Sequence, residues 1–308
     1  MIYTFLIVII IQDMNKKKSH LHQVIEDTLK DAYSLLPDII DALRNSDILA
    51  IKSNKKWTQR HRLMVLLTNA EINKKLVLEN KLVDPFFLLI FQDTIELLKK
   101  WSTDPKWEEL KMSMKNSGNF KHTIGKLTIA ERFLKQSYKV KIIAKGKTKT
   151  PDIGILGKGV TNERDWLYLE CYQPDLLVGK IEKLSSIQLS RIVNKTMQKA
   201  RKQLGKHHSG ILALFSYDQQ EIILDILSDK FSKRLETSDR PYLVGILLFN
   251  TYIKQSILNE NINYKSMVST RFIPNLAYFG SIDFLTDDIL NCARAYRAQF
   301  KRNIKQPI

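Results

Sequence analysis

Only two cysteines, Cys171 and Cys292, occur among the 308 residues, and they lie far apart. Their scarcity excludes a disulfide framework and a cysteine-rich zinc pattern, and a reducing, intracellular (cytoplasmic) compartment is the expectation. Long apolar runs are lacking as well. The stretch from Met1 to Ile11 is apolar but too short to span a bilayer. No basic residue precedes it, as a secretory signal would require, and Lys16, Lys17 and Lys18 follow it instead. In order of preference it reads as a buried β-strand, as the product of an upstream start with Met14 the natural one, or as a weak membrane-surface anchor. No other segment approaches a transmembrane span, so no transmembrane association is expected. Internal repeats and low-complexity segments are missing too. The scarce charge is negative: 32 Asp and Glu face 49 Lys and Arg, a net charge of +17. An excess of that size attracts polyanions. Nucleic acid comes first among them and an anionic membrane surface second. The plain alternative is lysine that is merely solvated.

What is present reads as an α/β chain in three parts: an apolar and basic segment over 1–20, a mainly helical region over 21–120, and an α/β domain with C-terminal additions over 121–308. Leu21, Ile25, Leu29, Ala32 and Leu36 recur three or four apart, which predicts an amphipathic helix ending near Pro37. Further helices are expected over about 59–80 and 86–101. Residues 102–126, rich in Ser, Asn, Gly and Lys, read as a linker or long loop. Thr128 is expected to cap a short helix reaching Gln136, with Glu131 in its first turn. Strands follow over 138–143, 152–156 and 166–172, the last two joined by a hairpin connection containing Gly and Asn. A helix over 186–206, a strand over 209–217, a helix over 218–235 and a strand over 242–249 complete the alternation, with an edge strand over 268–274 and a closing helix over 287–300. Helices alternating with strands favour a mixed central sheet flanked by helices.

Two acids interrupt apolar strand patterns, Asp152 in Thr150-Pro151-Asp152-Ile153-Gly154-Ile155 and Glu170 in Leu167-Tyr168-Leu169-Glu170-Cys171-Tyr172. Burying a carboxylate without a partner is costly, and the cost falls when two of them share a divalent cation. Mg²⁺ takes one or two carboxylates and keeps several waters. Asp152, Glu170 and the Cys171 backbone carbonyl would form such a half-shell. Taken singly, each acid is better explained by a strand start or an exposed strand edge; the combination with Glu131 and the basic helix reverses that balance.

These motifs resemble the PD-(D/E)XK, or restriction-endonuclease-like, nuclease superfamily over roughly Leu127 to Tyr217. The resemblance implies a core running helix, three strands, helix, strand. It also implies Mg²⁺, with Mn²⁺ as a substitute, organised by an acid on the first helix (Glu131), by Asp152 of Pro151-Asp152 and by Glu170. A homodimer or larger complex and a restriction, defence or mobile-element setting are in keeping with it. Where the superfamily has the lysine that assists the attacking water, this chain has Tyr172. A phenol carries no standing positive charge near neutral pH.

The helix beyond the strands offers replacements. Lys195, Lys199, Lys202 and Lys206 fall together at spacings of four, three and four, a stripe of like charge that an anion opposite would relieve. Lys199 is the leading candidate for the relocated role and Lys195 the second, while Gln203 borders the apolar side. Lys145, Lys147 and Lys149 precede Pro151 at alternate positions, where a turn would offer them to a nucleic-acid backbone. His20, His22, His207 and His208 lack metal-ligand spacing, Trp57, Trp101 and Trp107 with Phe86 and Phe87 suit packing, and Gly154, Gly157 and Gly159 lack the ending of a phosphate loop. The expectation is a metal-dependent nuclease-like protein hydrolysing phosphodiester bonds in DNA, preferred over RNA. Two alternatives stand beside it: a catalytically inactive nucleic-acid-binding protein of nuclease-like fold, and a subunit with an acidic protein partner.

Overall fold

The computed structural model describes residues 7–9, 14–55, 60–79, 81, 85–143, 151–156, 166–173, 185–204, 210–217, 221–237, 241–258 and 261–278. The chain forms two compact units, residues 1–127 with 253–267, and residues 128–252 with 268–308.

In the first unit, β1 (Ile7–Ile9) precedes helices α1 (Met14–Leu35), α2 (Pro37–Lys52), α3 (Arg62–Leu78), α4 (Pro85–Trp101), α5 (Trp107–Ser113) and the start of α6 (Ser117–Lys135). The expected stripe of α1 is present, with Ile25, Leu29, Ala32 and Leu36 all buried. Pro37 starts α2 instead of merely ending α1, because its missing N–H costs nothing at a first helical position. At the other end, Asn54 adopts a φ of 52° and the amides of Asn54 and Lys55 return to the carbonyls of Ile51 and Ala50, closing the last turn. Leu63 to Leu67 are all buried, so the start of α3 is enclosed on every side, with α1, α2 and α4 packed against the helix. A buried Asp47 is met by both forks of Arg60, at 2.9 and 2.7 Å. Trp101 and Trp107 are buried packing residues, as expected.

Residues 102–126 are a correction: the expected linker is α5 and the first half of α6. Trp107, Leu110 and Met114, then Phe120, Leu127 and Ala130, are buried at helical spacing, so tertiary burial outweighs the Ser, Asn and Gly between them. Thr128 accordingly lies inside α6 and caps nothing. The helix ends at Ser137, whose φ is 65°; Ser137 N–H donates to the Leu134 carbonyl and Tyr138 N–H to that of Phe133. The Phe133 and Tyr138 rings meet edge to face at 5.4 Å, the contact that goes with such a cap.

The second unit contains β2 (Lys139–Ile142), β3 (Ile153–Leu156), β4 (Leu167–Tyr172), α7 (Ser186–Gln203), β5 (Gly210–Tyr217), α8 (Glu221–Glu236), and the inner parts of β6 (Leu243–Leu258) and β7 (Asn261–Pro274). The strand order is β7-β6-β5-β4-β3-β2. β2, β3 and β4 form an antiparallel meander, and β5 and β6 lie parallel to β4 and to each other. The protein is thus a mixed α/β chain with a helical N-terminal region. Leu212, Leu214, Ile246 and Leu248 form a core with Leu189, Ile192, Val193 and Met197 of α7 and with Leu227 and Phe231 of α8. At Gly245 a Cβ would stand 2.6 Å from the Ile273 carbonyl, so glycine permits the close approach of β7. The expected edge strand at 268–274 is the end of the much longer β7. In the first unit, the outer end of β7 pairs antiparallel with β1 through Ile7–Tyr264, Val8–Asn263 and Ile9–Ile262. The closing helix expected at 287–300 lies outside the described residues.

Candidate active site

β3 and β4 pair with Ile153 opposite Leu169 and Gly154 opposite Tyr168; continued by one residue, this register sets Asp152 opposite Glu170. Side chains alternate across a sheet. Ile153, Leu169 and Cys171 therefore point to one face, and Asp152, Gly154, Tyr168, Glu170 and Tyr172 to the other. On that second face Glu170 and Tyr172 neighbour Leu212 and Leu214, which belong to the core shared with α7. Both acids are buried.

Asp152 is tied down by the backbone. Its N–H donates to the Leu169 carbonyl at 2.9 Å, and its Oδ2 accepts from the Cys171 N–H at 2.9 Å. The Cys171 amide is thus what meets Asp152, where its carbonyl was expected to take part in the site. The Cys171 thiol is buried on the opposite face. Glu170 lies within hydrogen-bonding reach of Asp152, and its carboxyl is pushed up to about 8. Burial is the main cause and the neighbouring Asp152 charge the second; Lys199 pulls in the other direction.

Lys199 comes from α7. Its Nζ stands 3.4 Å from Glu170 Oε1 and 4.8 Å from the centroid of the Tyr172 ring. An ammonium borne by a helix thus stands beside Glu170 and over the ring of Tyr172. Lys195 and Lys202 are exposed on the same helix, one turn to either side.

Glu131 is buried in the second half of α6, and its Oε1 meets Lys135 Nζ at 3.6 Å. Among the described residues no group of three or more His, Cys, Asp or Glu gathers where it could hold a metal ion. Glu131 is not in a first helical turn, because α6 begins well before Thr128, at Ser117. Lys145, Lys147, Lys149, Lys206, His207 and His208 lie outside the described residues, as does the side chain of Gln203.

Two features escaped the sequence reading: the ring of Tyr172 as a seat for a cation, and the ring of Trp166 as the seat of Lys141, whose Nζ lies 3.9 Å from its centroid. The usable signal for both is shared parity: a lysine and an aromatic fall on one face of adjoining elements.

No family model, no curated protein and no solved structure matches this chain. Fold and site together define a mixed α/β protein in which two buried carboxylates, opposed across antiparallel strands, are countered by one helix-borne lysine. No helix among the described residues is long and apolar enough to cross a membrane.

Proposed function

We propose that the protein is a metal-dependent nuclease-like hydrolase acting on phosphodiester bonds in DNA, with a core of the restriction-endonuclease-like kind. The observation that carries this is the Lys199 ammonium, 3.4 Å from Glu170 beside Asp152. The succession α6, β2, β3, β4, α7, β5 adds support, being the order of helix, three strands, helix and strand that the sequence resemblance implies.

The pair suits a divalent cation. Two buried carboxyls at hydrogen-bonding reach, one of them held up to about 8 by burial and by its neighbour, need more positive charge than Lys199 alone brings if both are to ionise. Asp152 and Glu170 would hold Mg²⁺, which when bound lowers the pKa of a coordinated water and screens charge on a phosphate. Asp152 is pre-oriented by the Cys171 amide, so one ligand is in place before any cation arrives. Lys199 brings a positive charge next to Glu170, where it can attract a phosphate oxygen or orient a water. Lys195 and Lys202 extend the positive face along α7 and suit the flanking backbone. Intracellular DNA is the partner that fits the net charge of +17.

The test is cleavage of supercoiled and linear DNA with and without magnesium. Asp152→Ala is expected to abolish magnesium-dependent cleavage while leaving most of the binding. Unchanged cleavage by D152A would sink the assignment. Salt-sensitive binding by the wild type with no cleavage under any divalent cation would make it a binding module of the same fold.

A further inference from the structure

Lys141 lies on the edge strand β2, where lysine commonly serves only to keep an open sheet edge in water. It does something else here. Its register partner is Gly154, and that glycine pairs in turn with Tyr168, so all three belong to the sheet face that carries Asp152 and Glu170. Instead of extending into solvent, the Lys141 chain folds inward until its ammonium stands 3.9 Å from the Trp166 ring centroid. The floor of this arrangement is a glycine, and a larger residue would push the lysine off its seat. A Cβ at position 154 would stand 2.8 Å from Lys141 Cε and 3.1 Å from Trp166 Cε3.

The nature of the seat matters. A carboxylate would cancel the charge of the ammonium, whereas the face of an indole fixes its position and leaves the charge available to an anion. Among the described residues Lys141 meets no carboxylate, and its side chain is exposed. Lys199 on Tyr172 repeats the theme at the other end of the same strand face, with Glu170 between the two. From Tyr172 to Trp166 is six residues of extended chain, or about 20 Å. That separation is too great for both lysines to hold one phosphate, and it suits another phosphate of the same strand.

We infer that Lys141, seated on Trp166 over Gly154, is a second phosphate-binding site that takes a nucleic-acid backbone phosphate beyond the one at Asp152 and Glu170. The inference rests on the hydrolase reading for the strand's path but is tested by binding alone. The substrate backbone would run along β4, from Tyr172 toward Trp166.

The experiment is fluorescence anisotropy of labelled duplex DNA with the full chain in EDTA, over a range of salt, with Lys139→Gln as the control for net charge. Lys141→Gln is expected to weaken binding several-fold and to flatten the dependence of log affinity on log salt by about one. Lys139→Gln, which removes the same charge two residues away, should do less on both counts. Gly154→Ala keeps every charge but unseats the lysine, and should approach Lys141→Gln; if that variant does not fold, Trp166→Leu makes the same comparison. Trp166→Phe, which retains a ring, should bind nearly as the wild type does. Equal effects of Lys139→Gln and Lys141→Gln, or unchanged binding in the folded unseating variant, would overturn the site. Cleavage that survives Asp152→Ala would remove the hydrolase reading and leave these binding results standing.

Discussion

At the scale of the residue, Tyr172 is the position on which sequence and structure say different things. Read along the chain it marks a missing lysine; in space it is the surface on which Lys199 rests. On the hydrolase reading it would act through Lys199, as a positioning residue. Ring–cation attraction is worth about 0.5–2 kcal/mol according to exposure, so Tyr172→Leu should slow cleavage by roughly twofold to thirtyfold at saturating DNA. Tyr172→Phe keeps the ring face and should stay close to wild type, which a role for the phenol hydroxyl would not allow. Lys199→Ala should lose most activity, and adding Tyr172→Lys to it should restore a measurable part. No recovery in that double variant would separate the helix lysine from the role of the missing strand lysine. The two acids were legible in sequence because carboxylates are conspicuous within apolar strands. Glu131 was placed in a first helical turn because the start of its helix was misread.

At the scale of the element, α6 shows how composition misleads and packing decides. Ser, Asn, Gly and Lys dominate its first half, yet Phe120, Leu127 and Ala130 bury one side and fix a helix of 19 residues. Its end is a left-handed Ser137, which leads into the meander that carries the site. A non-glycine residue there is strained, and glycine is the usual occupant. Ser137→Gly is therefore expected to stabilise the protein by up to about 1 kcal/mol, visible as a later midpoint in urea unfolding with an unchanged slope. A lower midpoint would mean that the serine side chain contributes more than its backbone strain costs. The β3–β4 hairpin was legible for a simpler reason: alternation on two short strands predicts which residues share a face, and the spacing of 152 and 170 predicts that they meet.

At the scale of the whole molecule, the buried pair ties stability to pH. The Glu170 carboxyl titrates near 8 in the fold against about 4.5 when free. The protonated form is favoured by folding, so its contribution is fully present below about 4.5 and is lost as pH rises to about 8. The metal-free protein should therefore lose a few kcal/mol over that window. Glu170→Gln should flatten this part of the profile in thermal or urea unfolding. Magnesium should stabilise the wild type most at the alkaline end and release close to one proton when it binds near neutral pH, which calorimetry in buffers of different ionisation enthalpy measures. A wild-type profile indistinguishable from that of Glu170→Gln would contradict the shared, destabilised pair. The sequence by itself determined the alternation of helix and strand, the two acids at facing positions, and the positive charge, because these follow from periodicity and composition along the chain. Only the tertiary structure decided which ammonium meets Glu170 and that Lys141 lies over Trp166. Those contacts join residues from separate elements, and their closeness depends on how helices and strands pack.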